Sequence, residues 1–379
     1  MESNKQDHGI GQFFRSFTGG LDLRRTHRIL GRDAGLAFQI LTREHADRPE
    51  PRGRLSRFWH RTKILFLGLS YKLVPARRVL FAACMVAALL SLQYCDVDIA
   101  NTSVSIGGGS PLLWLAFGGL VLLLVLELAD RVVVRDELEV ARELQQALLP
   151  TDPPDIEGYT VAFSSATANT IGGDYYDFLA TPDGRVAVVI GDASGHGIAA
   201  GILMAISNSI LKLAIDLDPT PSSVAGLMNR VLYQTGGTRD FMTLFLGILD
   251  PTLGRFDYIS VGHPYPLLRR ASGAISELGT GSLPLGIRKT IDPTPGVVTL
   301  ESGDVVVMVT DGIPEAVNTE GQTFGFDRLW ELVSEGGGPD EVHRRIVSTL
   351  KAFTAGTAPH DDWSLVVLRR DPPSEAHCR

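Results

Sequence analysis

Cysteine is scarce in this sequence: only Cys84, Cys95 and Cys378 occur among 379 residues. Their spacing matches neither a paired disulfide framework nor the clustered ligands of a zinc site. We therefore expect no structural disulfide and no zinc. The scarcity also indicates that the bulk of the chain lies in a reducing compartment.

Nucleotide-binding motifs and internal repeats are missing as well. Gly-Gly pairs occur, but there is no GxxxxGK[ST] and no GxGxxG that opens a helix, so ATP binding is unsupported. The net charge of -8 argues against a nucleic-acid-binding role for the chain as a whole. We therefore expect no nucleic-acid partner.

Arginine is concentrated at the N-terminus, in residues 1–78, whereas the rest of the chain is acidic. Such a basic region is typical of a segment that lies against anionic membrane lipid, and a solvated tail is the alternative. Within it we predict a short helix near Ala34–Arg43 and an interfacial segment at Ile64–Val74.

Two apolar runs follow and predict a transmembrane helical hairpin over residues 79–129. Val79–Tyr94 is uncharged but short, whereas Pro111–Ala129 carries one charge and is long enough to span a membrane. The connection Cys95–Ser110 has no Lys or Arg, and both outer flanks are basic. The positive-inside rule then predicts a two-helix protein of the cell membrane with both termini in the cytoplasm. A buried soluble hairpin is the alternative.

A linker helix is predicted after the hairpin, within residues 130–150. It has an apolar seam that Gln145 interrupts, and Pro150 ends it. The seam suits a parallel coiled coil, and hence a homodimer, although so short a stripe can also pack on its own domain. The seam residues are Val134, Leu138, Ala141 and Leu148.

Short strands and grouped helices alternate from Tyr159 onward. This pattern predicts an α+β layered domain over residues 151–370, with a tail at 371–379. The predicted strands include Arg185–Ile190, Met242–Leu249, Arg255–Ser260, Val305–Val309 and Ser364–Leu368, and the predicted helices Ala199–Leu213, Pro221–Gln234 and Pro339–Phe353.

Four acidic motifs in this domain place an Asp at a strand end or in a turn. A single Asp-Gly is ordinarily a turn, but several buried Asp residues that converge would repel one another unless a cation lies between them. Hard divalent cations prefer such oxygen ligands, so the residue types predict an all-oxygen site, with two metal ions. The motifs are GGDYYD at 172–177, GDASGHG at 191–197, TDG at 310–312 and DDWS at 361–364.

The order and spacing of these motifs make residues 145–370 similar to the PPM-type metal-dependent protein phosphatases. The similarity is closest to the SpoIIE-like bacterial branch that controls sigma factors. It extends over QQALLP at 145–150, SVGHP at 260–264, LPLG at 283–286 and TDGIPEA at 310–316. One departure is the segment 166–170, and no Arg stands in an obvious phosphate-clamping motif.

This resemblance implies two stacked antiparallel β-sheets flanked by helices, with two Mn²⁺ or Mg²⁺ ions at one end of the sandwich. It implies that Asp174, Asp192, Asp311, Asp361 and the backbone carbonyl of Ala193 are the metal ligands, and that these carboxylates are the catalytic residues. Gly173, Gly312, Asp362 and His196 would have supporting roles. His196 either protonates the leaving alkoxide or hydrogen-bonds its loop, and His263 is expected to be structural.

The implied reaction is hydrolysis of phosphoserine or phosphothreonine by a metal-activated water. The implied substrate is a regulatory protein, such as a phosphorylated anti-sigma factor antagonist of the STAS type. A catalytically inactive membrane scaffold that uses the domain for partner binding is one alternative. A two-metal phosphodiesterase or nuclease is the other.

Overall fold

The computed structural model describes residues 73–92, 111–237, 240–355, 359 and 361–372. The predicted helix near Ala34–Arg43, most of the segment Ile64–Val74 and the loop Cys95–Ser110 lie outside these residues. The chain divides into two compact units, Met1–Val133 and Val134–Arg379.

The first unit contains helix α1, Pro75–Leu92, and the start of helix α2, Pro111–Gln146. Arg77 near the start of α1 pairs with Asp130 of α2 at 2.6 Å and with Glu127 at 3.3 Å. Further along, a Cβ placed on Gly119 would overlap the Sγ atom of Cys84, so the two helices approach closely. These contacts show an antiparallel pair of helices.

Two helices among the described residues are long and apolar enough to cross a membrane, α2 and α3, Ile198–Leu217. Over half of the most apolar stretch of α3, 56%, is buried inside the molecule, which makes α3 a core helix. In α2 only 11% of that stretch is buried. Helix α1, with Arg77 and Arg78 in its first turn, is not among them.

The second unit is built on two five-stranded sheets, and all strand pairings within each sheet are antiparallel. The first sheet has the order β1-β10-β9-β6-β7, and the second β2-β3-β4-β5-β8. The strands are β1 Tyr159–Ala166, β2 Asp174–Ala180, β3 Val186–Ala193, β4 Met242–Asp250, β5 Arg255–Val261, β6 Leu267–Arg269, β7 Ile275–Glu277, β8 Gly296–Thr299, β9 Val305–Val309 and β10 Trp363–Arg370.

Three apolar layers stabilise this unit. Inward-facing residues such as Phe245 and Val306 fill the space between the sheets. Helix α3 and helix α4, Pro221–Thr235, cover the outer face of the second sheet. Helix α5, Phe326–Ser334, and helix α6, Pro339–Phe353, cover the first. Each fully buried large apolar side chain stabilises the fold by about 1.5–3 kcal/mol. The predicted α+β sandwich of two antiparallel sheets flanked by helices is confirmed.

Some element boundaries differ from the predicted ones. Strand β3 continues to Ala193, so Asp192 lies inside a paired strand and does not follow it. The linker helix ends at Gln146, before it reaches Pro150, the residue that was expected to end it. Helix α5 and the three short strands β6, β7 and β8 were not predicted, because three to nine residues carry too little periodicity.

Candidate metal centre

Asp174 and Asp192 lie directly opposite each other on the neighbouring strands β2 and β3. Cross-strand neighbours of this kind have Cβ atoms about 4.5–5.5 Å apart, and like charges in this arrangement are destabilising. The amide of Ala193 donates to the Gly173 carbonyl at 3.1 Å, which closes the end of the pair. One antiparallel pairing thus joins the first two acidic motifs.

The third and fourth motifs reach Asp174 through Thr310, the residue after β9. The Thr310 hydroxyl donates to Asp174 Oδ2 at 2.8 Å and accepts from the Ser364 amide at 2.8 Å. Asp174 lies in one sheet, and β9 and β10 lie in the other. Thr310 therefore ties three motifs together across the sandwich and orients the Asp174 carboxylate.

Asp362 is buried and holds the loop that leads to Asp174. Its carboxylate accepts hydrogen bonds from the amides of Ala168 and Gly173, each at 2.7 Å. Its neighbour Asp361 is exposed, and the Asp361 Oδ1 atom accepts from the Asp362 amide at 2.9 Å. The two adjacent carboxylates therefore have different surroundings, one bound to backbone and one facing solvent.

Two glycines permit close approach of the backbone at the site. A Cβ on Gly173 would lie 2.6 Å from the carbonyl oxygen of Ala193 and 2.8 Å from Asp192 Oδ1. A Cβ on Gly312, the residue after Asp311, would overlap the carbonyl oxygen of Asp362. The Ala193 carbonyl and the Asp192 carboxylate therefore lie side by side against the loop before Asp174.

Burial and mutual repulsion dominate the electrostatics of these carboxyls. Burial raises the pKa of Asp174 to about 8, with Asp362 and Asp311 adding to it and the hydrogen bond from Thr310 opposing it. Burial raises the pKa of Asp192 to about 9, and Asp174, Asp311, Asp361 and Asp362 add to it. The pKa of Asp311 is raised by burial and then by Glu315 and Asp361. Without a counter-cation, these groups resist ionisation together near neutral pH.

The residues fit a hydrated divalent cation. In the part of the chain that the structure describes, no group of three or more His, Cys, Asp or Glu side chains is arranged so that it could hold a metal ion by itself. Mg²⁺ and Mn²⁺ do not need one, since such ions keep several waters and use one or two carboxylates. The paired carboxylates repel each other, and a bound cation would relieve this repulsion.

The two histidines near the site differ in environment. His196 is exposed and forms no hydrogen bond with another described residue. His263 is buried, burial lowers its pKa to about 3, and its Nδ1 atom lies 3.0 Å from the Thr243 hydroxyl. That hydroxyl in turn accepts from the Asp192 amide at 3.2 Å. His263 is therefore neutral and packs beneath the site as a structural residue.

Asp177, the second Asp of the first motif, lies on the opposite face of β2. It accepts a hydrogen bond from the Tyr175 hydroxyl at 2.8 Å and lies 3.6 Å from the Lys212 ammonium of α3. Successive side chains of a strand point to opposite faces, so Asp177 cannot face the same way as Asp174.

The end of the linker helix contributes a contact that the sequence did not predict. Gln145 is buried, its Nε2 donates to the Gly172 carbonyl at 2.5 Å, and its Oε1 accepts from the Gly172 amide at 3.1 Å. Leu148 and Leu149 pack against the domain core. This end of the predicted seam therefore packs on its own domain, whereas Val134, at the other end of the seam, is 55% exposed. The sequence offered one signal for this contact, since Gln145 is a polar residue that interrupts the apolar seam.

Comparison with known proteins identifies the family. A family model described as Stage II sporulation protein E (SpoIIE) matches residues 182–371, half of the chain. Phosphoserine phosphatase RsbU of Bacillus subtilis is 31% identical over 244 residues, which cover 62% of this chain and 71% of that protein. Protein IcfG of Synechocystis is 25% identical, and the match covers 63% of this chain but only 42% of IcfG.

Among solved structures, the SiaA-PP2C domain of Pseudomonas aeruginosa aligns with a TM-score of 0.56 and 19% identity. The alignment covers 64% of this chain and 99% of that domain, and it supports the fold alone. Together with the RsbU match and the motifs from GGDYYD to DDWS, the family model shows that this chain belongs to the SpoIIE family of PPM-type phosphatases.

Proposed function

We propose that this chain is a membrane-anchored, metal-dependent protein serine/threonine phosphatase. The observation that carries the proposal is the Asp174–Asp192 pair, whose pKa values are raised by burial and by the surrounding carboxylates. This arrangement occurs in a member of the SpoIIE family, and one relative is named a phosphoserine phosphatase.

Asp174, Asp192, Asp311, Asp361 and the Ala193 carbonyl would hold two Mn²⁺ or Mg²⁺ ions. When bound, such ions supply a water of lowered pKa and neutralise phosphoryl oxygens. Thr310 keeps the Asp174 carboxylate in place, and Asp362 keeps the preceding loop in place. These contacts pre-organise the carboxylates before substrate binds.

The surroundings of Ser194 support direct hydrolysis without a phosphoenzyme. The Ser194 hydroxyl accepts from the Phe241 amide at 2.9 Å, and the Ser194 amide donates to the Phe241 carbonyl at 2.9 Å. A serine held in this way is a turn residue. We assign the proton of the leaving alkoxide to solvent, since exposed His196 has no described partner that would orient it.

The proposed substrate is a regulatory protein that carries phosphoserine or phosphothreonine, such as an anti-sigma factor antagonist of the STAS type. The phosphoserine phosphatases RsbU and RsbP of Bacillus subtilis, at 31% and 25% identity, support a phosphoserine substrate. The membership in the SpoIIE family supports a role in sigma-factor control.

The proposed anchor is the helical pair α1–α2. The apolar stretch of α2 is largely unburied within the molecule, and lipid is the environment in which such a helix is stable. The ion pairs of Arg77 with Glu127 and Asp130 lie together at one end of the pair. We place this charged end at the cytoplasmic interface, with both chain termini in the cytoplasm.

We further propose a homodimer through the linker helix, but on a different face from the predicted seam. The face of α2 that carries Gln145 packs against the domain, whereas Val133, Val140 and Leu144 are 56%, 56% and 66% exposed. These three side chains point about 100–140° away from Gln145 around the helix. Their spacing of seven and four residues suits a coiled-coil seam.

The direct test is phosphate release by the full chain in detergent, from a phosphoserine peptide and from a phosphodiester. We expect hydrolysis of the peptide with Mn²⁺ and none with EDTA. In Asp192→Asn we expect kcat to fall about 100-fold or more, because a bound metal ion stabilises the transition state by several kcal/mol and each 1.36 kcal/mol lost is tenfold in rate. No turnover by a folded protein that binds Mn²⁺ would favour the scaffold alternative. Preference for the phosphodiester would favour the nuclease alternative.

A further inference from the structure

A cavity of about 320 Å³ lies beside Asp174, between the last turns of α2 and the segment that leads from β1 to β2. Residues from both sides line it, including Arg142, Gln145, Ser165, Thr167, Thr170 and Asp174. Since Asp174 is one of its walls, the cavity adjoins the proposed metal centre.

Hydrogen bonds hold the wall of this cavity at several points. Gln145 binds both the amide and the carbonyl of Gly172, at 3.1 and 2.5 Å. On the other side of the same loop, Asp362 binds the amides of Ala168 and Gly173 at 2.7 Å. The loop is therefore fixed from both faces, and the cavity is formed before any ligand enters.

Arg142 is the cation among the residues that line the cavity. It is half-buried and forms no salt bridge with another described residue. A guanidinium presents several N–H donors in a planar fork that matches the oxygens of a phosphoryl group. Thr167 and Thr170 add hydroxyl groups to the same wall. This set of groups suits a small oxyanion.

We propose that this cavity is an oxyanion subsite in which Arg142, carried by the linker helix, binds a phosphoryl oxygen of the substrate. The inference rests on the proposed phosphatase function and adds a substrate-binding residue to it. Arg142 and Gln145 are one turn apart on α2. The hydrogen bonds between Gln145 and Gly172 therefore also hold Arg142 at the cavity. Substrate binding then depends on α2 being docked.

The test compares Arg142→Gln with Arg135→Gln, an exposed arginine of the same helix, in the full chain in detergent. Binding of inorganic phosphate at saturating Mn²⁺ is measured by calorimetry, and KM and kcat are measured with a phosphoserine peptide. We expect Arg142→Gln to weaken phosphate binding and raise KM by about 10- to 100-fold, as for the loss of a charged hydrogen bond. Arg135→Gln should change neither.

Binding of Mn²⁺ serves as the readout that a merely structural role would move. We expect Arg142→Gln to bind Mn²⁺ like the wild type, and Arg142→Lys, which keeps the charge without the fork, to recover part of the phosphate affinity. Unchanged phosphate affinity in Arg142→Gln, an equal loss in Arg135→Gln, or a parallel loss of Mn²⁺ binding would each overturn the proposal.

The phosphate-binding measurement also separates this proposal from the proposed function. If the wild type hydrolyses the peptide and Arg142→Gln leaves the affinity for phosphate unchanged, the phosphatase proposal stands and the subsite proposal is wrong. Phosphate binding that depends on Arg142, in a protein without turnover, would support the subsite and contradict the catalytic proposal.

Discussion

Thr310 and Asp174 are joined by a hydrogen bond of 2.8 Å that crosses from one sheet of the sandwich to the other. Thr310 also accepts from the Ser364 amide, so its hydroxyl both donates and accepts a hydrogen bond. The carboxylate most central to the proposed metal site is thus oriented by a residue of the opposite sheet. The integrity of the site therefore depends on how the two sheets pack.

The first prediction concerns this hydroxyl. Thr310→Val keeps the shape but removes the donor, so we expect the Mn²⁺ concentration for half-maximal activity to rise about 10- to 100-fold, as for other residues that orient a metal ligand. Thr310→Ser retains the hydroxyl and is the control. An unchanged Mn²⁺ requirement in Thr310→Val would show that Asp174 needs no such orientation.

The second prediction concerns pH. Asp174 and Asp192, with folded-state pKa values of about 8 and 9, keep protons that the unfolded chain releases near pH 4. Their contribution to stability is therefore complete below about pH 4 and is lost as pH rises toward about 8–9. In EDTA, the Tm of the second unit should fall between about pH 5.5 and 8.

Excess Mn²⁺ should reduce this fall, because the ion replaces the protons. Asp192→Asn in EDTA should also show a smaller fall, because one titrating group is gone. A Tm that rises over this pH range in EDTA would contradict the raised pKa values.

The third prediction concerns the anchor at the end of the linker helix. Gln145→Leu leaves the amide and carbonyl of Gly172 without their partner in a buried position, which costs about 1–3 kcal/mol per group. We expect lower stability in thermal unfolding and weaker Mn²⁺ binding. Gln146→Leu, at the exposed neighbouring position, should change the free energy of unfolding by about 0.5 kcal/mol or less. Equal effects of the two substitutions would remove the special role of Gln145.

The fourth prediction concerns self-association. Val140→Asp places a charge in the middle of the exposed stripe of α2, so it should convert the proposed dimer to a monomer in light scattering of the detergent complex. Arg135→Asp introduces a carboxylate on another face of the same helix and should leave the dimer in place. A dimer that survives Val140→Asp but not Leu138→Asp would indicate that the originally predicted seam is the interface.

Elements with a clear local pattern could be predicted from the sequence almost to the residue. Val305–Val309 and Pro339–Phe353 were predicted with the bounds that the structure gives. Their patterns are local, since the first is a short apolar run that is buried on both faces and the second has one buried stripe of a single helix. Strands β6 and β7, at three residues each, exist because of the strands beside them, and no local pattern marks them.

The acidic residues proposed for the site could likewise be named in advance, because each belongs to a short motif, and in three of the four motifs a glycine lies next to the Asp. Thr310, Gln145 and Arg142 could not. Thr310 was visible only as part of a motif, and the other two lie on a helix that precedes the domain. Their roles depend on which surfaces meet, which sequence separation does not reveal.

The family, the candidate carboxylates and the two apolar runs could be recognised from the chain alone, because motif spacing and hydrophobic length are properties of the chain. The folded structure was needed to show that Asp362 holds a loop, that Asp177 faces α3, and that the Gln145 face of α2 packs inward. Each of these depends on contacts between residues far apart in sequence, and such contacts are set by the packing of two sheets and a helix and not by local pattern.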